Sequence, residues 1–436
     1  MSALASQSTA QSLFKLWGRV LEIAPGMIKI GGVSDLARVG NEVRIETGTS
    51  PVYGEILSVS AQSVTALLYS SENAIRIGDK AYIEASGGVA IGDHWLGQII
   101  NYRGEPSSPI KVSQNTSHCA LKAPPIPAHL RRTLGTRLDT GLMATDTLLP
   151  ICSGQRIGLF AGSGVGKSTL LGTLAGGVSA DRVVIALIGE RSREVNAFIQ
   201  ETLPQEVLSK CVIVAATASE PAGAKKRAAY CAMAAAEHFR DQGKSVLLLF
   251  DSLTRFAEAH REIALSAGES PALNAFPPST VRVIAELVER AGPGHGMASD
   301  ISAIFSVLVA GSDMEEPLAD MVRGILDGHI ILSREIAERG RYPAIDILRS
   351  ISRALPKAAS ELENDMLRDY RSLIDRHDEI LPMLRADLYR LGQDADTDRA
   401  IRLFSKLDKF AGAKNSGAIP DAFKALEGIL SETSSD

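Results

Sequence analysis

The rhythm of apolar positions changes three times along this chain. From about residue 18 to 85, short apolar runs are broken by Gly, Pro and Asn: Val20–Ile23, Met27–Ile30, Glu42–Ile45, Glu55–Val59, Val64–Tyr69 and Ala81–Glu84. Short strands at this close spacing predict a small β-barrel over 18–90. Pro106, Pro109, Pro124, Pro125 and Pro127 then predict a linker over 91–130 without regular structure, because proline removes a donor and fixes φ. Between 131 and 354, continuous apolar runs (Arg156–Phe160, Val183–Ile188, Val212–Val214, Val246–Phe250, Ala303–Leu308, His329–Leu332) alternate with helical stretches such as Lys225–Arg240 and Val281–Arg290. Runs that are apolar on both faces, separated by helices, predict a mainly parallel sheet covered on both sides. Beyond 355, apolar spacings of three and four predict helices at Ser360–Ile374, His377–Arg390 and Asp398–Phe410. Before residue 18, Leu13, Phe14, Leu16 and Trp17 form a small apolar cluster. They either begin the first domain or form a docking segment, 1–17, for a partner.

Composition narrows the class. The 436 residues are 45% hydrophobic and 22% charged, with a net charge of −5. That balance suits a soluble globular chain of two or three domains and argues against a general nucleic-acid binder. Cys119, Cys152, Cys211 and Cys231 are scattered without a C-x-x-C pair, which predicts neither disulfides nor zinc and suits a reducing cytosol. No apolar run approaches the roughly 20 residues that cross a bilayer, and the start does not read as a secretion signal.

The segment from Ile157 to Leu170 carries the strongest chemistry. An apolar strand runs through a glycine-rich turn, Gly162-Ser163-Gly164-Val165-Gly166, into Lys167-Ser168-Thr169 and a helix. Glycines let backbone N–H groups wrap phosphate oxygens, and the helix adds its positive end. Lys167 reaches β- and γ-phosphates, and Ser168 ligates magnesium. The first glycine of this phosphate-loop pattern is Ala161 here, ahead of the wrapping turn. The pattern therefore predicts an ATP site with Mg2+.

Two further strands end in acids. Val183–Ile188 runs into Gly189-Glu190-Arg191, and Val246–Phe250 into Asp251. Ligands in open α/β sheets gather at the carboxyl ends of strands, so both acids are expected beside the phosphate loop. Asp251 is the expected magnesium-side carboxylate. Glu190 is expected to polarise the attacking water, with Arg191 and Arg255 offsetting local negative charge.

From Leu138 to Arg353 the chain resembles the hexameric family that includes the rotary ATP synthase β subunit and the secretion-associated export ATPases. The matching stretches are Gly154 to Ser168, Ile188 to Glu194, Leu248 to Ala257, Ile325 to Ile330 and Arg341 to Arg353. Phe160 to Ser168, Gly328 to Arg334, and Tyr389 to Asp394 followed by Asp398 to Ile401, look most like the flagellar type III export group. The resemblance implies a P-loop, RecA-like α/β core with an N-terminal β-barrel and a C-terminal helical domain over 355–436. It implies ATP hydrolysis in a homohexameric ring that energises protein export. Arg353, in Ser350-Ile351-Ser352-Arg353, aligns with the arginine finger that reaches a neighbour's ATP, and Tyr342 with the aromatic that stacks on adenine. It also implies several partners: a stator-like regulator at the N-terminal segment, a coiled-coil stalk protein in the ring, export substrates and chaperones, and a membrane export gate that the cytoplasmic chain meets peripherally. The loop Ala267–Ser279 is expected to face the ring interior.

Other functions on the same core are an injectisome ATPase, a rotary ATP synthase catalytic subunit, an RNA translocase and a non-catalytic ring subunit. The export-like C-terminal wording disfavours the second. An RNA translocase needs an aromatic, basic platform, whereas the barrel stretch has only Tyr53, Tyr69 and Tyr82 and no basic cluster. Glu190 argues against a non-catalytic subunit.

Overall fold

The computed structural model describes residues 16–86, 88–108, 116–270, 276–309 and 314–432. These fall into two compact units. The first holds a closed six-stranded barrel: β1 (Leu16–Ala24), β2 (Met27–Gly31), β3 (Asn41–Ile45), β4 (Val52–Val59), β5 (Ser63–Leu68) and β6 (Lys80–Ser86), ordered β1-β2-β5-β4-β3-β6. Alternating inward residues, among them Val20, Ile28, Ile30, Val43, Ile45, Ile56, Val64 and Leu68, fill its interior. All six runs read from the sequence are strands here. Leu16 and Trp17, assigned to a docking segment, begin β1. The rest of that segment, including Leu13 and Phe14, lies outside the described residues, as do 271–275 of the loop expected to face a ring interior.

The second unit is built on an eight-stranded sheet. Its strands, after β7 (Gly88–Ile91), are β8 (Gln98–Ile100), then, past β9 (Ser117–Ala120), β10 (Arg156–Ala161), β11 (Arg182–Glu190), β12 (Cys211–Thr217), β13 (Val246–Asp251), β14 (Ile301–Leu308), β15 (Gly328–Leu332) and β16 (Ile345–Ser352). The order is β16-β15-β10-β14-β13-β11-β12-β8, and β7 pairs with β9 in a separate ribbon. All neighbours are parallel except β15 and β16. The helices are α1 (Lys167–Gly177), α2 (Ser192–Ala197), α3 (Gln205–Leu208), α4 (Ala222–Asp241), α5 (Leu253–Ser266), α6 (Ser279–Val288), α7 (Pro317–Ile325), α8 (Arg334–Glu338), α9 (Glu361–Arg385), α10 (Ala395–Gly412) and α11 (Ile419–Leu430). Along β11, Val184, Ala186 and Ile188 enter the core on one face of the sheet. Val183, Ile185 and Leu187 enter the core on the other. Burial on both faces is why these strands read as unbroken apolar runs.

Two expectations need correction. Residues 91–130 are not without regular structure. Gln98–Ile100 is the edge strand β8, parallel to β12, and Trp95 beside it is fully buried. Three residues are too short to display a period, and inside the proline-bearing stretch itself Ser117–Ala120 forms β9, paired with β7. The expected helices Ser360–Ile374 and His377–Arg390 are one helix, α9. Ser360 and Glu363 cap its start reciprocally, Pro382 is tolerated in its last turn, and Asp387 turns the chain away at φ +56°. The C-terminal helices are present as expected, and they pack directly on the sheet. Leu367, Tyr370, Leu403, Phe410 and Phe423 share one core with Leu159 and Ile185 of the sheet. No described helix is long and apolar enough to cross a membrane.

Candidate active site

Strand β10 delivers the chain to the turn 162–166, and α1 begins at Lys167 with Gly166 as its N-cap. Gly164 and Gly166 have φ of +76° and +91°, a region that side chains avoid. Position 166 is doubly constrained. A Cβ there would stand 3.4 Å from the Tyr342 ring, so the backbone passes close under this aromatic. Tyr342 itself is 54% exposed, so its ring packs against the phosphate loop while remaining open to a ligand. Val165 is buried and anchors the turn, whereas Ser163, Ser168 and Thr169 face outward.

The two acids arrive as expected, at the carboxyl ends of β11 and β13. Gly189, at φ +73°, produces a register shift between Ile188 and Glu190 opposite β12. A Cβ on Gly189 would come within 2.7 Å of the Arg255 side chain, so glycine lets the strand end pass close against α5 just before Glu190. A cleft of about 1180 Å³ results. Its lining includes 162–164, 166–169, Glu190, Arg191 and Asp251.

Electrostatically, the site is organised around Lys167. Its Nζ donates to Asp251 Oδ1 and lies 3.6 Å from Glu190 Oε1. Glu190 Oε1 is buried and has no hydrogen-bond partner among the described residues. Burial pushes the Glu190 carboxyl up to about 7. Lys167 pulls in the opposite direction, and Asp251 adds to the rise. A buried, orphaned carboxyl oxygen at the rim of a phosphate-binding turn suits an acceptor for water. The donor set, backbone N–H groups with Lys167 on one side and the Ser168 hydroxyl with Asp251 on the other, suits a nucleotide phosphate with a hard oxygen-loving cation.

Not every candidate converges. Arg191 lines the cleft, but its side chain is 82% exposed and paired with Glu194 at 3.3 Å. Arg353 does not line the cleft. It follows β16, which runs antiparallel to β15, so Gly328 pairs with Ser352 at the amino-terminal end of the parallel strands. The Arg353 amide donates to Asp327 O at 3.1 Å, and Asp327 accepts from Arg156 at the start of β10. The phosphate loop lies at the other end of β10. Six residues at about 3.3 Å each put roughly 20 Å of strand between them.

Sequence reasoning missed several residues of the site. Arg334 lines the cleft and donates from Nη2 to Ser163 O at 3.5 Å. Thr254 Oγ1 accepts from the Leu308 amide at 2.8 Å, tying α5 to β14. The Ser306 hydroxyl donates to Asp251 Oδ1. The one signal for Ser306 was a hydroxyl in the apolar run Ala303–Leu308.

Comparison with known proteins identifies the family. Residues 141–352 match the model of the ATP synthase alpha/beta family, nucleotide-binding domain. The chain is 42% identical over 426 residues to the flagellum-specific ATP synthase of Caulobacter vibrioides, covering 95% of this chain and 96% of that one. Among solved structures, the assembled ATPase EscN of the enteropathogenic E. coli type III secretion system superimposes with a TM-score of 0.87 at 36% identity, over 95% of this chain and all of that one. EscN in complex with its central stalk EscO gives 0.86 at 37% identity, with 95% and 100% covered. The chain is an ATPase of the ATP synthase α/β family and belongs, within it, to the flagellar and type III secretion ATPases.

Proposed function

We propose that this chain hydrolyses ATP as one segment of a homohexameric ring that energises type III protein export, of flagellar components. The observation that carries the ring is the position of Arg353. The cleft gathers the phosphate loop, Glu190 and Asp251, while Arg353 sits at the opposite end of the sheet, exposed. It cannot serve its own cleft, and a head-to-tail ring presents it to the next one. A planar, permanently charged guanidinium suits the spread charge of a transferring phosphoryl group.

Within one cleft the roles divide as follows. Backbone N–H groups from Gly162 to Thr169 wrap the phosphates, and Lys167 exchanges Asp251 for the β- and γ-oxygens. Mg2+ would be held by Ser168 and Asp251, and would supply neutralisation of the charge that develops in phosphoryl transfer. Glu190 orients the water and takes up its proton, Arg191 offsets charge at the rim, and Tyr342 stacks on adenine.

The flagellar relative of 42% identity supports the flagellar assignment over the injectisome one. The structure of a relative with its central stalk supports a coiled-coil partner entering the ring here as well. A regulator binding the N-terminal segment, export substrates and their chaperones, and peripheral attachment of a cytoplasmic ring to the inner-membrane export gate complete the reading.

The test is complementation between dead subunits. Lys167→Ala keeps its arginine and loses its phosphate site; Arg353→Ala does the reverse. Each alone should be inactive. Mixed one to one before assembly, about a quarter of the ring interfaces pair an intact cleft with an intact arginine, so about a quarter of wild-type activity should return. No recovery from a mixture shown to co-assemble overturns the shared site.

A further inference from the structure

Asp251 ends β13 almost fully buried, at 4% exposure, and one of its carboxylate oxygens carries two donors. Lys167 Nζ donates to Oδ1, and so does the hydroxyl of Ser306, at 2.5 Å. The donors differ in their freedom to leave. Lys167 ends a flexible four-carbon stem in the phosphate-wrapping turn, where a nucleotide's oxygens compete for its ammonium. Ser306 is fully buried within β14, the strand between those that end in the phosphate loop and in Asp251. Its backbone is paired with Leu159 of β10, and the preceding residue, Phe305, with Phe250 of β13. Both neighbouring strands hold it in register, so it has nowhere to go when Lys167 does.

Resting on the reading of Asp251 as the magnesium-side carboxylate, we infer that Ser306 is the positioning residue for that carboxylate. Its hydroxyl pins Oδ1 after Lys167 has moved to the phosphates, leaving the second oxygen to receive the cation's hydration shell. An unpinned aspartate can rotate about its terminal torsion, which is broad and nearly two-fold. Each rotation that removes the second oxygen from the cation lowers metal affinity without touching the phosphate loop. Loss of outer hydrogen-bond partners of this kind typically costs about 10–100-fold in metal affinity or activity. A buried hydroxyl needs an acceptor in any fold. Positioning therefore has to be separated from simple satisfaction by a metal-specific readout.

Threonine and valine at position 306 are suited to that separation. Both are β-branched and fit a strand, and only threonine carries the hydroxyl. Binding of a fluorescent ATP analogue to the full chain is titrated with MgCl2, and again in EDTA. Ser306→Val should raise the Mg2+ concentration that half-maximally tightens binding by about 10-fold or more. Its affinity in EDTA should be unchanged, and Ser306→Thr should restore the wild-type titration. Ser306→Ala serves in its place if the valine variant fails to fold by circular dichroism. Asp251→Asn, run beside them, distinguishes two failures. If it titrates like wild type, the metal-side reading of Asp251 is wrong. If it is impaired while the valine and alanine variants coincide with wild type, the positioning role alone falls. A threonine variant as weak as valine also overturns it.

Discussion

Glu190→Gln should make the nucleotide-free protein more stable at pH 8 while abolishing hydrolysis. The Glu190 carboxyl is pushed up to about 7 from an ordinary 4.5, first by burial and further by Asp251, with Lys167 opposing. Between those two pH values the folded chain holds a proton that the unfolded chain has released. Stability contributed by this group is therefore complete below pH 4.5, falls as pH rises, and is lost above 7. Raised from 4.5 to about 7, ionised Glu190 costs the fold on the order of 3 kcal/mol at pH 8. Glutamine fills the same space, carries no charge and escapes that cost. The advantage of the variant should be near zero at pH 4.5 and grow to about 3 kcal/mol by pH 8, a few degrees in melting temperature. Thermal or urea unfolding of both proteins in EDTA across that range is the measurement. Comparison at each pH cancels the titration of groups that do not interact with Glu190. An advantage independent of pH, or one that grows as pH falls, would refute the burial argument. Strain of this kind at a catalytic position is a usual reason for activity and stability to oppose one another.

With Glu190 as the proposed proton acceptor, the same carboxyl should set the pH dependence of the reaction. As kcat/KM reports the free enzyme, it should rise with pH through about 7 and level off above, because Glu190 must be ionised to accept a proton; a profile already flat from pH 5.5 to 8 would assign the proton acceptor elsewhere. Far from the cleft, Arg290 is buried, with Nε 3.0 Å from Glu237 Oε1, Nη2 2.5 Å from Oε2, and Nη1 donating to Leu121 O at 2.6 Å. Arg290→Ala should destabilise the fold by about 3–5 kcal/mol, because it strands a buried carboxylate. Urea unfolding measures this, and a loss below 1 kcal/mol would mean that water relieves Glu237.

The site was legible where its chemistry is local. The glycines at 164 and 166, the lysine behind them and the acids at two strand ends are short-range features, and each implies its own backbone geometry. Tyr342 was reached through resemblance, and only the close approach of its ring to Gly166 gives it a physical place. The contacts of Ser306, Thr254 and Arg334 were not legible, because a hydroxyl or guanidinium in a run carries no mark of which distant residue it will meet. The error over 91–130 has the same origin: β8 exists because β12 offers it an edge, more than a hundred residues away.

The sequence by itself determined the units of this protein. Short apolar runs broken by Gly, Pro and Asn made barrel strands, runs apolar on both faces made a covered parallel sheet, and the glycine-lysine turn marked the candidate phosphate site. These follow from interactions within a few residues, where sterics and periodicity decide. The tertiary structure decided how those units combine. It placed Ser306 against Asp251, held Glu190 in a buried bulge that lifts its proton affinity, folded the C-terminal helices into the core of the sheet, and put Arg353 a strand's length from the cleft of its own chain. Each depends on strand order and direction, which arise from pairings between segments far apart in sequence and leave no trace in any one of them.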